Sequence, residues 1–149
     1  MSKIRITKEF RFEAAHALHG YDGPCKSIHG HSYELSVTVS GTPVGDKESP
    51  KAGMVMDFGD LKKIIKKNII DNVDHALILN KNYPVEDIKK ISEVFCNTVW
   101  VDYQPTSENL LADFSRKIIP LLSEGVKLYS LKLRETATSF AEWFASDNT

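Results

Sequence analysis

The chain has 149 residues, enough for one domain to close a hydrophobic core without disulfide bridges. Its 19 Lys and Arg balance 20 Asp and Glu, so the overall charge offers nothing to nucleic acid or an anionic membrane, and a partner must be recognised locally. Two cysteines, Cys25 and Cys96, are too few for a disulfide framework. The opening MSKIRITKEF lacks an apolar stretch of signal-peptide type, and no run approaches the length that crosses a bilayer. The expectation is a single domain over residues 1–149, cytoplasmic, with reduced thiols.

From Ile4 to His16 the even positions read Ile, Ile, Lys, Phe, Phe, Ala, His and the odd ones are mostly polar, which predicts a strand with one buried face. From His29 to Val39 the odd positions His29, His31, Tyr33, Leu35, Val37 and Val39 predict a second. The intervening loop holds Gly20, Gly23 and Pro24, and the two strands are expected to form an antiparallel hairpin. After a Gly-, Pro- and Lys-rich loop, Leu61, Ile64, Ile65 and Ile69 share a helical face opposite Lys62, Lys63, Lys66 and Lys67, with Asp57 as the cap.

Between Asp74 and Tyr103 the short apolar runs DHALILN and NTVWVDY carry no decisive period, and the segment reads as irregular. Pro105 with Thr106 or Ser107 starts a second helix through Leu110, Leu111, Phe114 and Ile118 that ends near Pro120. Two strands follow, one with Tyr129, Leu131, Leu133 and Glu135 on a single face, the other from Ser139 to Ala145. The order strand, strand, helix, helix, strand, strand predicts an α+β domain, with both helices on one face of a four-stranded antiparallel sheet.

His29 and His31 are two apart in a strand, so they point to the same side, the side of Tyr33, Leu35 and Val37. His16 ends the first strand on its apolar parity, and the hairpin brings it beside them. Three neutral imidazoles with no evident fourth protein ligand describe an open, catalytic type of zinc site, since a structural site is usually closed by cysteine. His19 breaks the parity and reads as a solvated loop residue. Cys25 reads three ways, as a base, a fourth metal ligand or an idle loop thiol. Cys96, among Val94, Phe95 and Val99, reads as a small buried hydrophobe.

The segments FEAAH, CKSIHGHSY, MVMDFGDLK, DHALILN, PTSENL and LRET, in that order across nearly the whole chain, resemble the 6-pyruvoyl-tetrahydropterin synthase family. The three residues between Cys25 and His29 resemble its queuosine-pathway branch, the 6-carboxy-tetrahydropterin synthases. The resemblance implies the tunnelling fold, with trimers forming a shared barrel that pairs into a hexamer. Such assembly would also remove the exposed edges of a lone sheet.

The implied reaction is a zinc-dependent lyase step that takes 7,8-dihydroneopterin triphosphate to 6-carboxy-5,6,7,8-tetrahydropterin, releasing acetaldehyde and triphosphate. The alternatives are the phosphate-eliminating pyruvoyl synthase and a noncatalytic pterin-binding module. By resemblance Zn2+ sits on His16, His29 and His31. Cys25 is the base, Asp74 and His75 form a relay that reaches Cys25 across a subunit interface, and Glu135, Thr106 and Ser107 hold the pterin. Lys26, Arg11, Lys132 and Arg134 are unranked candidates for the triphosphate.

Overall fold

In the computed structural model, which describes residues 1–149, β1 (Ile4–His16) and β2 (His29–Gly41) form the expected antiparallel hairpin, its register running from Ile4 opposite Gly41 to His16 opposite His29. β2 pairs on its other side with the antiparallel strand Lys127–Thr136, and that strand pairs with the antiparallel strand Ser139–Phe144. Four of the strands are therefore the predicted ones.

The segment read as irregular is ordered. Ala76–Asn80 (β3) runs parallel to the end of β1, Val85–Val94 forms a helix, and Thr98–Val101 (β4) lies parallel to β3. The Lys127–Thr136 and Ser139–Phe144 strands become β5 and β6, in a six-stranded mixed sheet ordered β4-β3-β1-β2-β5-β6. The expected four-stranded ββααββ arrangement is corrected accordingly. The physical reason is burial on both faces, because all five residues of β3 are buried, and a strand covered on both sides shows no alternation to read.

The first helix, α1 (Phe58–Ile65), runs on through a π-helical turn at Lys66–Ile70 and a last turn at Asp71–Val73. Asp57 caps it as expected, its Oδ1 accepting from the Gly59 and Asp60 N–H groups at 2.6 and 3.3 Å. The Val85–Val94 helix is α2, and α3 (Ser107–Ile118) is capped by Thr106, whose hydroxyl accepts from the Asn109 N–H at 3.2 Å. α1 and α3 lie on one face, where Leu61, Ile65, Ile69, Leu110, Phe114 and Ile118 meet Phe12, Tyr33, Leu35, Val37, Leu131 and Leu133 in one core. α2 serves a smaller cluster on the opposite side of β3, where Leu77, Leu79 and Ala17 meet Tyr83, Ile91 and Trp100.

Two expectations about single residues change. Tyr129 leaves the buried face, because a bulge pairs Thr38 with Ser130 and Val39 with Leu128 and turns the extra residue outward. Leu128 takes the core position and the Tyr129 ring lies under Arg5, 3.8 Å from the guanidinium carbon. Cys96 is exposed, not buried. Its neighbours Val94 and Phe95 are exposed too, since this apolar run sits at the C-terminal end of α2 and no element covers it. No helix is long and apolar enough to cross a membrane.

Candidate metal centre and pterin-type cavity

The hairpin register decides the centre. Pairing His16 with His29, and the two-residue period that puts His31 on the same face, bring one nitrogen from each ring within 4.8 Å of the others. His16 is 2% exposed, and His29 and His31 are partly buried.

Backbone carbonyls set two of the three tautomers. His16 Nδ1 lies 2.7 Å from the Pro105 carbonyl oxygen and His29 Nδ1 lies 2.8 Å from that of Ser27, so each Nδ1 carries a proton and donates it. Both Nε2 atoms then present lone pairs, and they face one another at 3.0 Å. A second proton would make either ring cationic, and burial opposes that at His16, holding its pKa below the ordinary histidine value. His31 Nε2 is buried with no hydrogen-bond partner. The Glu135 Oε1 is 3.1 Å from it but off the hydrogen-bond direction.

Two opposed lone pairs and one orphaned ring nitrogen are what a metal cation would satisfy, and the all-imidazole donor set suits a divalent transition metal. The three histidines therefore fit a metal ion on this structure's own geometry. Tyr33 lies beneath them, its ring 5.5 Å from that of His31 and stacked on Phe12 at 4.9 Å, and burial pushes its phenol well above the usual range.

A cavity of about 340 Å³ opens beside the centre, lined among others by His16, Cys25, Thr106, Ser107, Glu135 and Phe140. Glu135 reaches it from β5, and its Oε2 accepts a hydrogen bond from the Ser107 hydroxyl. The carboxylate also sits at the first turn of α3, where backbone N–H groups favour an anion. No Lys or Arg lies in salt-bridge range of it. Thr106, besides capping α3, lines the same wall.

Asp74 and His75 are elsewhere. A second cleft of about 410 Å³ holds His75 with Glu13, Gly30, Ser32 and His31 of the metal group, while Cys25 lines the first. Asp74 Oδ1 accepts from the Glu13 N–H at 2.9 Å and lies 3.0 Å from His75 Nδ1. The Glu13 N–H is the largest cause holding the Asp74 carboxyl below its ordinary value. His75 has a left-handed backbone, φ 59°, a strained choice for a non-glycine residue, and its N–H donates to the Glu13 carbonyl at 2.6 Å.

Of the triphosphate candidates, Arg11 pairs with Glu34 at 3.3 Å, and Arg134 donates to the Ala137 carbonyl. Lys132 lies over the Phe140 ring at 4.0 Å and Lys26 flanks Cys25 in a short 3-10 turn. His19 stays outside the metal group, exposed, with its ring 4.2 Å from Tyr83. The Pro105 and Ser27 carbonyls were not foreseen, because a backbone oxygen leaves no signal in the sequence.

The chain is similar to the 6-carboxy-5,6,7,8-tetrahydropterin synthase of Haemophilus influenzae, 38% identical over 144 residues, with 94% of this chain and 98% of the relative covered. It is similar to the protein of the same name from Rickettsia bellii, 32% identical, with 93% and 99% covered. Its fold is similar to that of Caenorhabditis elegans 6-pyruvoyl tetrahydropterin synthase, with a TM-score of 0.69 at 27% identity and 97% of each chain covered. Residues 5–145 match the family described as 6-pyruvoyl tetrahydropterin synthase, from the second residue of β1 to the residue after β6. All three helices and every strand except the first residue of β1 lie inside that match, and the chain belongs to the 6-pyruvoyl tetrahydropterin synthase family.

Proposed function

We propose that this protein is a 6-carboxy-5,6,7,8-tetrahydropterin synthase, a lyase acting on 7,8-dihydroneopterin triphosphate with release of acetaldehyde and triphosphate. The observation that carries the proposal is one cavity in which Cys25 and the Ser107-held Glu135 meet His16, a member of the three-imidazole group, in a chain whose full-length relatives bear that name. Zinc, held by His16, His29 and His31, would supply Lewis-acid polarisation of the oxygens on the substrate's side chain.

The chain's own groups do the rest. Glu135 accepts from the donor edge of the pterin ring, and Ser107, already bonded to one of its oxygens, fixes the carboxylate plane. Thr106 borders the ring from the same turn. Cys25 takes the proton from the carbon next to the side-chain hydroxyls, which requires it to sit beside the histidines, on the wall where His16 also lies. Asp74, fixed by the Glu13 N–H, orients His75 for proton exchange with Cys25.

Cys25 lines one cleft and His75 the other, so this relay needs a second copy of the chain. Residues 1–149 therefore act as one domain in a homo-oligomer, a trimer or a pair of trimers, with the cytoplasm as the place of work. Incubation of the zinc-loaded protein with dihydroneopterin triphosphate should yield the 6-carboxy pterin by mass. A 6-pyruvoyl product would assign the phosphate-eliminating reaction instead, which the name of the Caenorhabditis elegans neighbour favours. Full metal loading with no turnover would leave a pterin-binding module.

A further inference from the structure

The loop between β1 and β2 carries Cys25 in the turn Pro24–Lys26, which has no buried residue. Little of its own packing holds it in place. The Leu18 N–H donates to the Cys25 carbonyl at 2.9 Å, which ties Cys25 to the start of the loop. The next carbonyl along, that of His19, accepts from Gln104 Nε2 at 2.6 Å. On the other side of the Gln104 amide, the buried Asn80 places Nδ2 3.5 Å from Oε1, so the donor end of the amide faces His19.

Gln104 belongs to a segment in which each residue touches the site. The Pro105 carbonyl fixes the His16 tautomer, Thr106 lines the cavity and Ser107 holds Glu135. The segment is itself fixed, since the Gln104 carbonyl accepts from Asn109 Nδ2 at 3.0 Å in the first turn of α3. Within this segment the Gln104 side chain is the part that reaches across to the Cys25 loop, joining residues 85 apart in sequence. The ladder from α3 through Gln104, His19 and Leu18 to Cys25 ties the thiol to the frame that sets the metal ligand and the carboxylate.

We propose that Gln104 is a positioning residue, which holds Cys25 in register with His16 and Glu135 by donating to the His19 carbonyl. The catalytic part of this inference rests on Cys25 acting as the base in the proposed reaction; the anchoring part does not. Losing the amide donor loosens the loop but leaves the Pro105–His16 and Ser107–Glu135 bonds intact. Turnover therefore falls while substrate affinity and metal content hold.

The test uses the full-length zinc-loaded protein with Cys96→Ala, so that Cys25 is the one thiol, and compares it with Gln104→Leu and Gln104→Glu, both of which remove the donor. Two readouts are taken, the rate of Cys25 alkylation by iodoacetamide and steady-state kinetics with dihydroneopterin triphosphate. One lost hydrogen bond predicts a rise in alkylation of about fivefold and a fall in kcat of about five- to tenfold, with KM and zinc content within about twofold. Unchanged alkylation and kcat would overturn the proposal. Loss of zinc and of the folded state in both variants would overturn it too, making Gln104 a structural residue. If the wild type turns nothing over while alkylation still rises in the variants, the proposed activity fails and the anchor stands.

Discussion

The two clefts of this chain lie at the same end of β1 and are built oppositely. The cleft at His16 is shaped from within: His16 is 2% exposed, its tautomer is fixed by the Pro105 carbonyl, and Ser107 holds the Glu135 carboxylate across from it. The cleft at His75 is shaped from the edge. That imidazole is 77% exposed, and its one fixed partner is the Asp74 carboxylate, on a backbone held left-handed against β1. The difference teaches that the first cleft has its polar geometry fixed from inside the fold, whereas the second presents an exposed imidazole oriented by Asp74. In the proposed relay, a second molecule of the chain brings Cys25 to that imidazole.

Substitutions can break this contrast, and the largest effect is expected at the centre. His29→Ala should lower both bound zinc and turnover by more than the roughly 10- to 100-fold typical of an outer partner of a metal ligand, measured by metal analysis and kinetics. Retained zinc with retained turnover would remove the metal assignment. Cys25→Ala should keep its zinc and lose turnover by about 10²- to 10⁴-fold, the usual worth of a general base. Unchanged turnover would leave Cys25 an idle thiol.

The contrast is sharpened by mixing. His75→Ala and Cys25→Ala proteins, each nearly inactive, should regain activity when dissociated and reassembled together, because some interfaces then pair an intact Cys25 cleft with an intact His75. A mixture no more active than its parts would place the relay elsewhere. Ser107→Ala frees one Glu135 oxygen and should raise KM about tenfold, as expected for a lost bond to a charged group, with kcat changed far less.

The smallest effect concerns pH and the metal-free protein. Burial is the leading cause that holds the His16 and His31 pKa values below the ordinary 6.5. Below that value the unfolded chain binds protons that the folded one refuses. Their contribution to stability is therefore complete above about pH 6.5 and is lost as pH falls through the lower folded values. The Tm of the metal-free protein should drop on going from pH 7 to pH 5, and less steeply in His16→Gln. Equal slopes would mean that other groups govern the acid limb.

How much of this could be read beforehand differs by element. β1 and β2 were legible because a strand has a period of two residues, so parity placed His16, His29 and His31 on the buried face before any pairing was known. Asp57 was legible as a cap, and Thr106 or Ser107 as the start of a helix, because capping is a contact within three residues; the structure gives the cap to Thr106. Tyr129 was misplaced because one bulged residue inverts parity and leaves no mark in composition. Ala76–Asn80 was missed because a strand buried on both faces has no polar side to alternate with.

Sequence alone thus determined which side chains face inward along the long strands and where two helices begin, since both follow from short-range geometry. It also carried the family resemblance. Tertiary structure decided that Pro105 fixes the His16 tautomer, that Ser107 meets Glu135, that Gln104 reaches His19, and that His75 opens onto a different cleft from Cys25. Those contacts join residues 89, 28 and 85 positions apart, and two of the three are made to backbone carbonyls. No local pattern encodes such pairings, because the chain path that brings them together is set by how the sheet is ordered.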